Sequence, residues 1–147
     1  MILFQVSILF QGGPGSTSMY GLLKENGPFL VDAKKQPFMG PFLKKNAHSW
    51  HKIANVLYID NPAGTGFSHF ESEPSLDDLT SGPKAEEQIS KELADFLLQF
   101  MKIYPYYVNG SDSSTKIYLF GESYGGTYVT KLGSYILTNP RYSVSDK

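Results

Sequence analysis

The sequence contains no cysteine. Disulfide stapling, thiol catalysis and cysteine-ligated zinc are excluded together by that one absence. It does not assign a compartment, because a short stretch of a secreted protein can lack cysteine by chance. Charge is scarce and balanced: 13 basic against 14 acidic residues leave a formal net charge of −1. With a pI of about 6.3, no basic face recommends a nucleic-acid partner. No apolar run reaches the ~18 residues that a membrane-crossing helix needs. There is also no internal repeat, charge block or linker to divide the chain, so residues 1–147 read as part of one domain.

What is present describes a globular protein. Apolar residues make up 41% and charged residues 18%, a balance that can bury a core. Ten Tyr and ten Phe suit packed sheets and clefts without identifying either. The opening MILFQVSILF has the apolar core of a signal peptide, but no basic n-region and no small-residue cleavage site. It runs directly into Q-G-G-P-G, and Leu3 to Phe10 reads as a strand.

Along the chain, Ser18 to Lys24 predicts a short helix stopped by Asn26-Gly27-Pro28. Pro28 to Val31 and Gln36 to Leu43 read as short extended pieces. Asn55 to Asp60, NVLYID, predicts a strand buried on both faces, and a helical turn is expected near Ser75 to Thr80. Pro83 is a natural first residue for a longer helix. Its apolar face holds Ala85, Ile89, Leu93, Phe96, Leu97, Phe100 and Tyr104, with Lys84, Glu87, Lys91, Glu92 and Asp95 opposite and Pro105 as its stop. K-I-Y-L-F-G at 116–121 predicts a second buried strand. From Tyr124 the helical spacing resumes through Tyr128, Leu132, Tyr135 and Ile136 to Asn139-Pro140. Apolar strands alternating with amphipathic helices give an α/β fold with a mostly parallel sheet. Chemistry in such sheets sits at the carboxyl ends of the strands, and all three glycine-rich motifs follow predicted strands.

One of those motifs, Gly121-Glu122-Ser123-Tyr124-Gly125, fits G-x-S-x-G with a strand before it and a helix after it. A serine at that sharp turn needs small neighbours, and the following helix aims its N-terminal amides at negative charge. Ser123 is thus a candidate nucleophile, set against a plain glycine turn. Acyl transfer also needs two amides aimed at the oxyanion. One belongs to the residue after the nucleophile, Tyr124. The other comes from an earlier glycine-rich loop, for which Gln11-Gly12-Gly13-Pro14-Gly15 is placed. A phosphate cradle is the competing reading of that loop, but no G-K-[ST] follows.

The motifs Q-G-G-P-G-S-T-S, E-N-G-P-F, W-H-K-I-A-N-V-L-Y-I-D-N-P-A-G-T-G-F-S and G-E-S-Y-G-G-T-Y-V occur in that order. Together they resemble the serine carboxypeptidase family of α/β-hydrolases over residues 9–138, and Gln11 before G-G-P-G most resembles its vitellogenic-like branch. The resemblance implies that Ser123 attacks the scissile carbonyl and that the amides of Gly13 and Tyr124 hold the oxyanion. It implies that Gln11, Gly12, Glu25 and Glu122 bind the free carboxylate of a peptide. The implied activity is release of single C-terminal residues in acid, without a cofactor, in a lysosomal or secreted setting. Glu122 can donate to a carboxylate only while protonated, and Glu25 plus an anionic substrate are expected to raise its pKa.

The chain departs from that pattern. Leu9 stands where the family usually has Trp, Ser16 where Cys is common, and Gln11 for Asn adds a methylene. The hydrolase order is Ser, then Asp or Glu, then His, yet after Ser123 the sequence holds Asp146 and no histidine. A serine without its base loses orders of magnitude in rate. The expectation is therefore the front part of a hydrolase domain, lacking the cap insertion and the C-terminal strands, and inactive and marginally folded by itself. The alternative is a truncated product that binds without turnover. His48-Ser49-Trp50-His51 has no third ligand beside it, so no metal site is expected. Asn109-Gly110-Ser111 makes Asn109 a glycosylation candidate.

Overall fold

The computed structural model describes residues 5–32, 42–70, 83–107 and 116–142. Three strands form a parallel sheet in the order β4-β1-β5, where β1 is Gln5–Phe10, β4 Asn55–Tyr58 and β5 Lys116–Gly121. Two more, β2 Phe29–Asp32 and β3 Phe42–Lys45, make an antiparallel hairpin. The helices are α1, Pro83–Ile103, and α2, Gly125–Thr138. Parallel neighbours require crossover connections, and α1 and α2 supply the cover such a sheet needs.

Register decides what each face carries. Val6 and Ile8 lie in line with Asn55 and Leu57 on one side and with Ile117 and Leu119 on the other. Alternation along β1 then places Val6, Ile8 and Phe10 together, at 4%, 1% and 0% exposure. They pack with Leu93, Ala94 and Leu97 of α1 and Tyr128 and Leu132 of α2. The opposite face carries Leu9, Tyr58 and Phe120, in line with one another. There the Trp50 ring meets Phe120 edge-on at 5.0 Å, and the Tyr58 hydroxyl donates to Asn26 Oδ1 at 2.6 Å. Asn26 and Trp50 are thereby fastened to that face of the sheet.

The long helix begins at Pro83 and stops two residues before Pro105, and α2 closes at Asn139, as the sequence signals require. The contact face of α1 differs from the expected one. Phe96 and Tyr104 are 41% and 50% exposed, whereas Ser90 and Ala94 are buried. Small residues admit α2 closely, and the Ser90 hydroxyl is satisfied by donating to the Glu86 carbonyl at 2.8 Å. The displaced rings stack along the helix flank, Phe96 on Phe100 at 6.3 Å and Phe100 on Tyr104 at 5.0 Å.

The burial expected of β4 and β5 is corrected, and two shorter expectations are refined. β4 ends at Tyr58 and is half-buried, and every residue of β5 except Leu119 is exposed. Both strands have β1 as their one neighbour among the described residues, which an apolar run cannot reveal. The helical stretch near Ser18 is closed by a π-helical turn, Gly21–Glu25, with the Asn26 amide donating to the Gly21 carbonyl at 3.0 Å. The extended piece assigned to Gln36 to Leu43 is seen as β3 from Phe42, and its earlier part lies outside the described residues. The turn near Ser75 to Thr80 and the sequon at Asn109 also lie outside them.

Candidate active site

The carboxyl ends of β1, β4 and β5 each run into a glycine-rich turn, and the three turns meet. After β5 the pairing with β1 continues one step, the Glu122 amide donating to the Phe10 carbonyl at 3.1 Å. Ser123 follows with φ at 54°, the one positive φ found at a non-glycine among the described residues. Tight turns then open α2: Gly125 N–H to Glu122 O at 2.8 Å, and Gly126 N–H to Ser123 O at 3.0 Å. This turn presents an exposed serine at the mouth of the sheet. Its neighbours must be glycine because backbone meets backbone here. A Cβ on Gly121 would strike Gly125, and one on Gly125 would strike the Phe10 carbonyl.

The loop after β1 lies against that turn. A Cβ on Gly12 would stand 2.7 Å from both the Glu122 carbonyl oxygen and the Tyr124 nitrogen, and 2.8 Å from Ser123 Cβ. Gly12 therefore lies against the Ser123 turn with nothing but backbone. Gly13 itself sits at φ 110°, in the region open to glycine. The loop is closed by the Ser16 amide, which donates to Gly12 O at 3.0 Å.

Asp60, just past β4, holds the third turn to the first. Its Oδ1 accepts from Thr17 Oγ1 and from the Ser18 amide, each at 2.7 Å, and its Oδ2 accepts from the Phe67 amide at 2.9 Å. Ser18, 1% exposed, passes the link on by accepting from the Gln11 amide at 3.1 Å. From the sequence, Asp60 is only the last residue of an expected strand. Its one local signal is a carboxylate directly before an Asn-Pro turn.

The predicted carboxylate-binding side chains are brought together. Gln11 Nε2 donates to Glu122 Oε2 at 3.0 Å, while Gln11 Oε1 is buried with no hydrogen-bond partner. Burial, then the charge of Glu122 and a hydrogen bond with it, push the Glu25 carboxyl above its ordinary value. Tyr58, raised by burial first and by the charge of Glu25 second, closes the group. Glu25 is kept there by Asn46, whose Nδ2 donates to the carbonyls of Glu25 and Gly27, each at 2.9 Å. The Glu25 carboxyl, its proton favoured by burial and by Glu122, can act as a hydrogen-bond donor in acid.

The histidines stand apart from this group. His48, His51 and His69 are exposed, and the His51 ring is engaged with Ser49 Oγ at 2.7 Å. No cluster of three metal-ligating side chains occurs among the described residues, and no described helix is long and apolar enough to cross a membrane.

A parallel sheet whose central strand lies beside a strained serine turn, backed by two helices, has the frame of an α/β-hydrolase. Residues 5–145 match the serine carboxypeptidase family. The venom serine carboxypeptidase of Apis mellifera is 42% identical over 124 residues, covering 84% of this chain and 23% of the relative. The lysosomal protective protein of Mus musculus is 36% identical over 135 residues, covering 92% and 25% respectively. The vitellogenic carboxypeptidase of Aedes aegypti is 34% identical over 128 residues, covering 87% and 24%. The chain belongs to the serine carboxypeptidase family. It spans about a quarter of the length of these curated relatives.

Proposed function

We propose that the polypeptide carrying this segment is a serine carboxypeptidase that releases C-terminal residues from peptides in acid, in a lysosomal or secreted setting. The observation that carries the reading is the junction of the Ser123 turn with Gly12 on one side and the Gln11–Glu122–Glu25 group beside it. Ser123 Oγ attacks the last peptide carbonyl and loses its proton to a base. The oxyanion is held by the amides of Gly13 and Tyr124. The leaving amine takes the proton, and water then hydrolyses the acyl-enzyme.

The substrate's free carboxylate is bound by Gln11 and Gly12 together with Glu25 and Glu122, which must hold a proton to donate. The upward push on Glu25 supports that assignment, since its proton persists above the ordinary carboxyl range. At higher pH the group ionises and repels the substrate. That sign gives an acidic optimum.

The base belongs to the three-quarters of the relatives' length that this chain does not span. A second reading is a product that binds without turnover. Source tissue probed with an antibody to residues 81–110 and with a fluorophosphonate separates them. A band far above 16.4 kDa, labelled at Ser123, supports the enzyme. A lone unlabelled band near 16.4 kDa overturns it in favour of the binding product.

A further inference from the structure

Tyr124 is held from a second helix. Its hydroxyl donates to Glu86 Oε1 at 2.8 Å, and Glu86 is the acidic residue in the first turn of α1. The other oxygen of that carboxylate, Oε2, stands 3.3 Å from Lys131 Nζ on α2. Both oxygens of one α1 side chain are thus engaged by α2, at its N-cap residue and again nearly two turns along. The Tyr124 ring is braced as well, meeting Tyr128 edge-on at 5.3 Å. Tyr124 occupies the N-cap of α2 without a side-chain capping bond, so among the described residues its hydroxyl is held from α1 alone.

The anchor matters because of what the backbone of Tyr124 does. Its nitrogen lies where even a methyl on Gly12 would not fit, so the amide has little room to reorient. A tyrosine side chain has two rotatable bonds, and pinning its far end fixes the near end. The crossover helix α1 starts at the same edge of the sheet as the serine turn, which brings a first-turn residue within reach. Hydrogen bonding by Tyr124, then by Lys131, holds the Glu86 carboxyl below its ordinary value against the opposing effect of burial. It therefore keeps its charge, and its role as acceptor, to lower pH than an unpaired glutamate.

We propose that Glu86 is a positioning residue that orients the oxyanion-binding amide of Tyr124 through the tyrosine hydroxyl. The inference rests on the reading of Ser123 as nucleophile. Pre-aimed donors are worth most where charge develops, so a small rotation of this amide lowers the rate of attack and leaves ground-state binding alone.

The test uses the natural full-length polypeptide with Glu86→Ala, Glu86→Gln, Tyr124→Phe and the Glu86→Ala/Tyr124→Phe double variant. The readouts are the saturating rate and apparent affinity of Ser123 phosphonylation, with the labelled fraction counted. Glu86→Ala and Tyr124→Phe are each expected to slow the saturating rate roughly tenfold, with affinity within about twofold. The double variant should be no slower than either single change, and Glu86→Gln should recover most of the rate by still accepting from the hydroxyl.

An unchanged rate in Glu86→Ala overturns the inference, as does a double variant slowed by the product of the two. Loss of labelled fraction with a normal rate in the remainder assigns Glu86 a structural role and overturns it too. If Glu86→Ala does not fold, Tyr124→Phe with a normal rate overturns it and with a slowed rate upholds it. Wild-type protein that is never labelled at Ser123 overturns the nucleophile reading and this inference together.

Discussion

Gln11 Nε2 donates to Glu122 Oε2 across 3.0 Å, joining two residues 111 positions apart in the chain. One follows the central strand and the other precedes the serine, so the bond joins the two turns. It spends one of the two donors of the Gln11 amide on a protein carboxyl.

Removing that amide should affect substrates that end in a free carboxylate. In the full-length polypeptide, Gln11→Ala is expected to lower kcat/KM for a peptide acid by about tenfold, mainly through KM. The matching peptide amide, which offers no carboxylate, should change less than about threefold. Equal losses on both substrates would remove Gln11 from carboxylate recognition.

Asp60 binds no substrate in this arrangement, yet its loss should be the most costly for folding. Asp60→Ala leaves the buried Ser18 amide, the Thr17 hydroxyl and the Phe67 amide without their acceptor. The expected cost is about 3 kcal/mol in urea denaturation. Asp60→Asn should fall between, because its amide nitrogen must face a donor on one side or the other. A loss under about 1 kcal/mol for the alanine variant would mean that water replaces the carboxylate.

Glycines in this chain are not equivalent, and alanine substitution should separate them. At Gly12 the new methyl meets backbone at 2.7 Å on two sides, so Ser123 labelling should fall at least about a hundredfold. At Gly133, inside α2, the methyl meets nothing within 4 Å. Gly133→Ala should therefore raise stability by about 0.5–1 kcal/mol with labelling unchanged, through helix propensity alone. Thermal melts and labelling rates on the same preparations check both.

Much of this was readable in advance, and the limits follow a pattern. The serine turn was legible because its demands are local: small residues at 121 and 125, a strand before and helical spacing after. The ends of α1 and α2 were legible for the same reason, through Pro83, Pro105 and Asn139. The buried face of α1 was not, since Phe96 and Tyr104 fit the apolar stripe better than Ser90 does. Close approach of two helices selects for small size, and a hydrophobic period does not register that. Nor could the runs at 55–60 and 116–121 say how many neighbours each strand has. Asp60 and Glu86 escaped notice because their partners are distant in sequence, at Ser18 and Tyr124.

The Glu25 carboxyl makes stability itself depend on pH in a direction opposite to the usual acidic residue. Its folded value lies above its ordinary 4.5, with burial the first cause and Glu122 the second. The folded state then binds more protons than the unfolded state between those two values, so stability falls as pH rises through that window. Below the ordinary value both states are protonated and the penalty is absent. Above the folded value it is fully present. Glu25→Gln keeps the size and hydrogen bonding of the protonated acid without the titration. The variant should match the wild type at the acid end and exceed it toward neutral pH, with the two curves parting just above 4.5. Urea midpoints across that range decide the matter. Parallel curves would mean that Glu25 does not titrate differently on folding, whereas divergence would assign the upward shift to its carboxyl.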